Sequence, residues 1–396
     1  MAHAADTPPT FPADTWWPTV TVGPQPKGVQ SLQGKAVVAN SGAANVSLVT
    51  TCLPKSCSPD YYNPVPTYAV GAGPTSIVQS PGYIPNVYVS NAEANTVTVI
   101  SNVSSYQPVQ AATIPVGTRP AGIGADASFV YVANNGDNTV SVIDQSTNTV
   151  VATIPVGTAP WGVAAYLNTV YVANSGDGTV SVIDAKTRTV TNTIAVGTTP
   201  SGIAIDGFTL YVANNGSASV SVINTSTMAV TDTIPVGKQP WGIGAGNGAF
   251  FVANYGDGTV MTFDAATHKH TATLTTGGAP FGLSGYGGQA NLIISDTAAN
   301  KIFTVPLGAP TWSPTWSSNK AKRSVTATVG SWAGVEYGIV ARSGFKTRHG
   351  TCRVSGGKAR CTISKLPKGK TWRLSMTTKF PWQQFPGGNQ NRKFRF

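Results

Sequence analysis

Apolar and polar residues alternate along most of this chain in short runs separated by turn residues. Between residues 157 and 196 the pattern is clear. Thr169-Val-Tyr-Val-Ala-Asn174, Thr179-Val-Ser-Val-Ile-Asp184 and Thr189-Val-Thr-Asn-Thr-Ile-Ala-Val196 each alternate and are rich in β-branched residues, which predicts half-buried strands. Ser175-Gly-Asp-Gly178 and Ala185-Lys-Thr-Arg188 supply turn chemistry between them, with Gly free to take positive φ. The Gly-rich apolar stretch that begins at Trp161 provides a fourth strand. No stretch of helical period has useful length, and no apolar run approaches the ~18 residues needed to span a bilayer.

This unit recurs. The phrase Gly-x-x-Pro-x-Gly/Ser begins at Gly23, Gly71, Gly117, Gly157, Gly197, Gly237 and Gly277, and the last five copies keep a constant forty-residue spacing. A fixed period near 40 residues means one supersecondary unit copied along the chain, and four antiparallel strands per repeat predict a propeller blade. The expected architecture is all-β: a seven-bladed β-propeller followed by a small β-sandwich. Periodicity stops after Lys301-Ile-Phe-Thr-Val-Pro306, so the last blade is one strand short. Trp17-Pro-Thr-Val-Thr-Val22 is a strand without a blade. Pairing the two closes the ring and removes the exposed interface of an open array.

A second signature recurs in step with the first. Tyr131-Val-Ala-Asn134, Tyr171-Val-Ala-Asn174, Tyr211-Val-Ala-Asn214 and Phe251-Val-Ala-Asn254 are clean copies; Val37-Val-Ala-Asn40, Tyr88-Val-Ser-Asn91 and Leu292-Ile-Ile-Ser295 are looser ones. Over about residues 16 to 308 the chain resembles the YVTN-repeat β-propeller family. The resemblance implies the propeller fold but not one activity, because that family includes binding proteins and enzymes.

Composition changes near Pro310. Residues 1–311 hold nine Lys and Arg against fourteen acids, whereas 312–396 hold seventeen Lys and Arg and a single acid, Glu336. The second region also alternates, at Ser324-Val-Thr-Ala-Thr-Val329, Tyr337-Gly-Ile-Val-Ala341, Ala359-Arg-Cys-Thr-Ile363 and Trp372-Arg-Leu-Ser-Met376. Leu366-Pro-Lys-Gly-Lys-Thr-Trp372 resembles the Leu-x-x-Gly-x-x-aromatic segment of fibronectin type III modules, with Trp where Tyr is usual. The resemblance implies an Ig-like or fibronectin III-like sandwich. The expected organisation is a tail over 1–15, a propeller over 16–308 and a basic sandwich over 309–396.

Ala2-His3-Ala4 has the small-x-small form of a signal-peptidase site, so the protein is expected to be secreted or at the cell surface. The four cysteines form two close pairs, Cys52 with Cys57 and Cys352 with Cys361. Four cysteines allow three connectivities; local pairing is expected, and it fits an oxidising compartment.

Candidate chemistry falls in two places. In a propeller the residue after each phrase proline stands at the channel mouth. Those residues are Lys27, Thr75, Ala121, Trp161, Ser201, Trp241 and Phe281, and they vary on a repeated frame, as a binding face does. Arg119, Lys238 and Tyr255 are expected beside them. Aromatic faces with a few polar groups suit sugar rings or flat organic ligands; the competing explanation is that the tryptophans wedge between blades. The second place is the basic region, where Lys320, Lys322, Arg323, Arg342, Lys346, Arg348, Lys365, Lys368, Lys370 and Arg373 make a strong positive field. Its expected partner is an anionic cell-wall polymer or acidic polysaccharide. Nucleic acid ranks below these, for want of a nucleic-acid fold motif.

No catalytic residue, cofactor or metal site is expected. Asp137, Asp177 and Asp257 are read as turn caps rather than calcium ligands. His268-Lys-His270 has no third ligand in sequence. Asp126 and Asp206 are the obvious acids of the innermost strands, and no base accompanies them. The expectation is therefore an exported, non-enzymatic binding or adhesion protein of the cell envelope. The alternatives are a lyase- or lactonase-type propeller enzyme with its site at the same mouth, and a scaffold for a protein partner.

Overall fold

The computed structural model describes residues 10–12, 19–32, 34–50, 65–81, 85–103, 108–285, 291–306, 315–319, 324–330, 336–343, 346–355, 358–366, 371–379 and 390–395. Cys52, Cys57, Lys320, Lys322, Arg323, Lys368 and Lys370 lie outside the described residues. The chain divides into two compact units, Pro12–Val305 and Pro306–Phe396 with Met1–Phe11.

Within Pro12–Val305 the repeat forms four-stranded antiparallel meanders, a propeller-like arrangement. The third sheet shows the pattern. Phe129–Asn134 pairs with Pro120–Ala125 on one side and Thr139–Asp144 on the other, and Thr149–Pro155 completes the sheet. In each sheet the first strand begins at the phrase proline: Pro26, Pro74, Pro120, Pro160, Pro200, Pro240 and Pro280. A strand start tolerates a residue with no N–H to give the ladder. The first strands pack against one another in chain order, and that of the seventh sheet, Pro280–Ser284, packs against Pro26–Leu32 of the first. The Ser295 hydroxyl donates to the Lys27 carbonyl, and the Ser31 N–H donates to Ser284 Oγ at 2.9 Å. Thr19–Thr21 supplies the fourth strand of the last sheet, pairing with Lys301–Phe303.

Both glycines of the phrase are explained by close approach. A Cβ on Gly117 would come within 2.6 Å of the Asn134 amide carbon, and the Gly117 N–H donates to Asn134 Oδ1 at 3.1 Å. That asparagine is fully buried, and its amide donates to Thr139 Oγ1 and Ser141 Oγ, both at 2.9 Å. The second glycine lets neighbouring sheets touch: a Cβ on Gly28 would lie 2.8 Å from the Thr75 carbonyl, and one on Gly242 would overlap the Phe281 carbonyl. Between sheets lie apolar layers, such as Tyr131, Val140, Val142, Val170, Val172 and Ile183 between the third and fourth.

One motif register is corrected. Pro280 pairs with Asp296, as Pro120 pairs with Asn134. The last copy of the second signature is therefore Ile293–Asp296, not Leu292–Ser295. Five and seven residues after Asn134 come Thr139 and Ser141; after Asp296 come Lys301 and Phe303. Phe303 offers no hydroxyl for an amide to donate to, and the carboxylate instead accepts the N–H groups of Ala279 and Ala299 at 2.8 and 3.0 Å.

The second unit contains two antiparallel sheets. One orders Thr315–Asn319, Ser324–Gly330, Lys358–Ile363 and Thr351–Ser355; the other orders Lys346–His349, Glu336–Ser343, Thr371–Lys379 and Gln390–Arg395. Cys352 and Cys361 are directly opposite in register and joined by a disulfide.

Candidate functional site

The loops that carry the Gly-x-x-Pro phrase are held rigidly. Asp137 Oδ2 accepts the Thr118 N–H, Asp177 accepts that of Thr158, and Asp257 accepts that of Lys238 at 2.6 Å. Hydrogen bonds from the threonine keep the Asp137 and Asp177 carboxyls below the ordinary aspartate value. Each of these carboxylates is thus used as a cap. Neighbouring loops are also tied: Arg119 N–H donates to Asn95 Oδ1 at 2.8 Å, Ala159 N–H to Asn138 Oδ1 at 2.8 Å, and Gln25 N–H to Asn300 Oδ1 at 2.9 Å. The residue before the phrase proline takes left-handed φ at Gln25, Gly73, Arg119, Ala159, Thr199 and Gln239.

On this frame the three aromatic rim residues come together. The Trp161 and Trp241 rings lie 4.9 Å apart, centroid to centroid, and Trp241 stacks on Phe281 at 5.1 Å with an interplanar angle of 22°. These spacings are those of attractive aromatic pairs. All three side chains are half-buried. Ser201, the second residue of the intervening sheet's first strand, is buried, and its hydroxyl donates to the Pro240 carbonyl at 2.8 Å. Its small size leaves room for the two tryptophans to meet.

The row lines a cavity of about 350 Å³ together with the first strands: Thr75, Gly122, Ala164, Ala204 and Ser284 contribute, and among the described residues no ionisable side chain does. A second cavity of about 510 Å³ adjoins it through Thr75 and Trp161 and carries charged side chains. Lys27, Glu93, Arg119, Asn95 and Asn135 line it. Burial pulls the half-buried Lys27 ammonium below the usual lysine value, and the Glu93 charge offsets part of that shift. The lining of the two cavities is thus aromatic on the fourth, sixth and seventh sheets and charged on the first three.

The expected mouth residues fare differently. Lys27, Arg119 and Trp161 share the second cavity; Trp161, Trp241 and Phe281 share the first; Thr75 touches both, but its hydroxyl donates to Gly73 O at 3.0 Å. Ser201, Lys238 and Tyr255 line neither cavity, and the last two are exposed. Asp126 and Asp206 are not channel groups. Asp126 closes a turn, accepting Ser128 and Phe129 N–H groups at 2.8 and 2.7 Å and the Tyr131 hydroxyl at 2.7 Å. Tyr131 is consequently held well above its ordinary value, by burial first and then by the Asp126 bond. Asp206 is exposed at the strand end. The two histidines diverge: His268 Nδ1 pairs with Asp232 at 2.7 Å, while His270 Nε2 faces Ala272 O and Thr273 Oγ1, each at 2.9 Å. Among the described residues no cluster of three metal-ligating side chains exists.

Glu93 and Asn95 were not expected at the mouth. They occupy the places that Gly136 and Asn138 hold one repeat later, so aligning Asn91–Asn95 with Asn134–Asn138 would have found them.

No protein-family model and no curated protein matches the chain. Among solved structures it is similar to the WD40 domain of Neurospora crassa Pan2, with 11% identity, 71% of this chain and 88% of that one covered, and a TM-score of 0.56. It is similar to a functionally unknown protein from Desulfotomaculum acetoxidans, with 16% identity, coverage of 67% and 89%, and a TM-score of 0.55. Chaetomium thermophilum Raptor matches with 11% identity, coverage of 73% of this chain and 28% of that one, and a TM-score of 0.56. Likeness at these identities shows the fold alone, and that fold is propeller-like.

Proposed function

We propose that residues 16–308 form a closed seven-bladed propeller of YVTN type and that the protein is a recognition protein without enzymatic activity. Its ligand sits at the mouth, stacked on the Trp161–Trp241–Phe281 row. That row is the observation that carries the proposal: three half-buried rings from separate sheets in continuous contact. The flanking Lys27, Glu93 and Arg119 orient a polar ligand edge. Sugar rings fit such a pairing of aromatic face and polar fringe. Among the described residues, the lining of the first cavity carries no ionisable group, which supports binding over acid–base chemistry.

Residues 309–396 form a basic Ig-like or fibronectin III-like sandwich that anchors the protein to an anionic polymer outside the cell. The seventeen-to-one ratio of basic to acidic residues beyond position 311 and the Cys352–Cys361 disulfide support this part. A glycan array probed with the intact protein and with W161A/W241A tests the mouth. Binding by the wild type that falls at least tenfold in the variant is the expected result. Equal binding by both, or none by the wild type, overturns it. A second reading, a scaffold for a protein partner, draws on the propeller-like fold shared with a WD40 domain.

A further inference from the structure

The second unit places basic residues directly opposite one another across its strands. In one sheet Arg353 pairs in register with Arg360, and both are exposed. In the other sheet Arg342 pairs with Arg373, and Arg373 pairs in turn with Lys393. Neighbouring strands are only ~4.8 Å apart, and like charges directly opposite destabilise a sheet. The same unfavourable arrangement therefore occurs in both sheets of one small unit.

Residues 312–396 offer one acid to relieve it, Glu336. Glu336 is already opposite a base, Lys379, in the same strand pairing that holds Arg342 against Arg373. It lies six residues along the strand from Arg342, roughly 20 Å at strand rise. No carboxylate of this stretch is in register with any of the five basic positions. The counter-charge has to come from outside it.

The disulfide makes the arrangement rigid. Cys352–Cys361 is one register step from Arg353–Arg360, so repulsion between the two guanidinium groups cannot splay the hairpin. A pre-ordered pair also loses less entropy on binding. Arginine supplies a planar fork that matches carboxylate, sulfate and phosphate oxygens.

We propose that the in-register basic rows Arg353–Arg360 and Arg342–Arg373–Lys393 are the contact sites for a linear polymer of oxyanions. This rests on the anchoring role proposed above. Arg353, Arg360 and Lys393 are thereby added to the basic residues expected from sequence, and the two rows, rather than total charge, carry the affinity.

The test measures binding of the full-length protein to heparin and to inorganic polyphosphate across a salt series. Three proteins are compared: the wild type, R353Q/R360Q, and K186S/K269S, which removes the same charge from exposed propeller positions. The wild type should bind with steep salt dependence. R353Q/R360Q should flatten the slope of log K against log salt by about 2, one for each lost contact, while K186S/K269S keeps the wild-type slope. R353Q/R360Q should also melt at or above the wild-type temperature, since it relieves a repulsion. Equal flattening in both variants, an unchanged slope in R353Q/R360Q, or a lowered melting temperature for it overturns the inference and leaves the anchoring role standing. Failure of the wild type to bind either polymer overturns the anchoring role, and the inference with it. Preference for heparin over polyphosphate assigns the polymer to acidic polysaccharide; the reverse assigns it to phosphate polymer.

Discussion

Trp161 and Trp241 touch at 4.9 Å although a whole sheet separates them along the chain, because the sheet between them presents only the buried Ser201. Trp241 is the middle member, in contact with Phe281 on its other side. Removing it breaks both ring contacts, each contributing about 1 kcal/mol beyond area burial. W241A should lose at least about 2 kcal/mol in urea unfolding of the full chain, since the lost burial adds to the two ring contacts, together with near-ultraviolet circular dichroism from the tryptophan pair. Retention of both would show that the rings are not coupled in solution.

Gly242 and Gly207 separate two reasons for glycine. Gly242 has ordinary φ, but a Cβ there would overlap the Phe281 carbonyl of the next sheet, and backbone cannot swing away. Gly207 has φ of +58° and open space around it. Forced overpacking costs about 3 kcal/mol at its upper end, and a left-handed alanine about 1 kcal/mol. G242A should therefore melt well below G207A. The opposite order in calorimetry would contradict the contact between first strands.

Val20 tests whether the leading strand holds the last sheet. It is buried and pairs with Ile302, and Val22 N–H donates to Asn300 O at 2.9 Å. Losing two buried methyl groups, with the cavity they leave, should cost V20A about 2 kcal/mol. The whole Pro12–Val305 unit should lose stability in one transition. A separate early transition confined to the last sheet would show that the strand merely decorates it.

The repeat was legible because close contacts force it. Gly117 must be glycine against Asn134, and Asn134 must be an amide because Thr139 and Ser141 wait for its protons. The aromatic rim residues were legible as variations on that frame, but their mutual contact was not, since it depends on how far a buried Ser201 lets two sheets approach. Glu93 and Asn95 escaped notice because that repeat has a different spacing and a glycine place filled by an acid. Asp296 was displaced by one residue because Leu292-Ile-Ile-Ser has the same apolar run in either register. Only its pairing with Pro280 decides. In the second unit charge could be counted from sequence, but which arginine faces which is a property of register.

The capping aspartates make the Pro12–Val305 unit acid-sensitive in a defined window. Hydrogen bonds from Thr118 hold Asp137 below the ordinary aspartate value, and those from Thr158 do the same for Asp177. A folded value lower than the unfolded one means the unfolded chain binds the proton more readily. The stability contributed is therefore fully present above about pH 4, the unfolded aspartate range, and is lost as pH falls through the lower folded values. D137N/D177N keeps an acceptor oxygen but no charge. It should melt below the wild type at pH 7, and the gap should narrow as pH falls below about 4 and the wild-type carboxyls take up protons. His270, whose value burial pulls down, titrates alike in both proteins and cancels in the difference. Melting temperatures of the two proteins across that range decide the matter: a gap that stays constant down to the lowest pH would mean that charge is irrelevant to the caps.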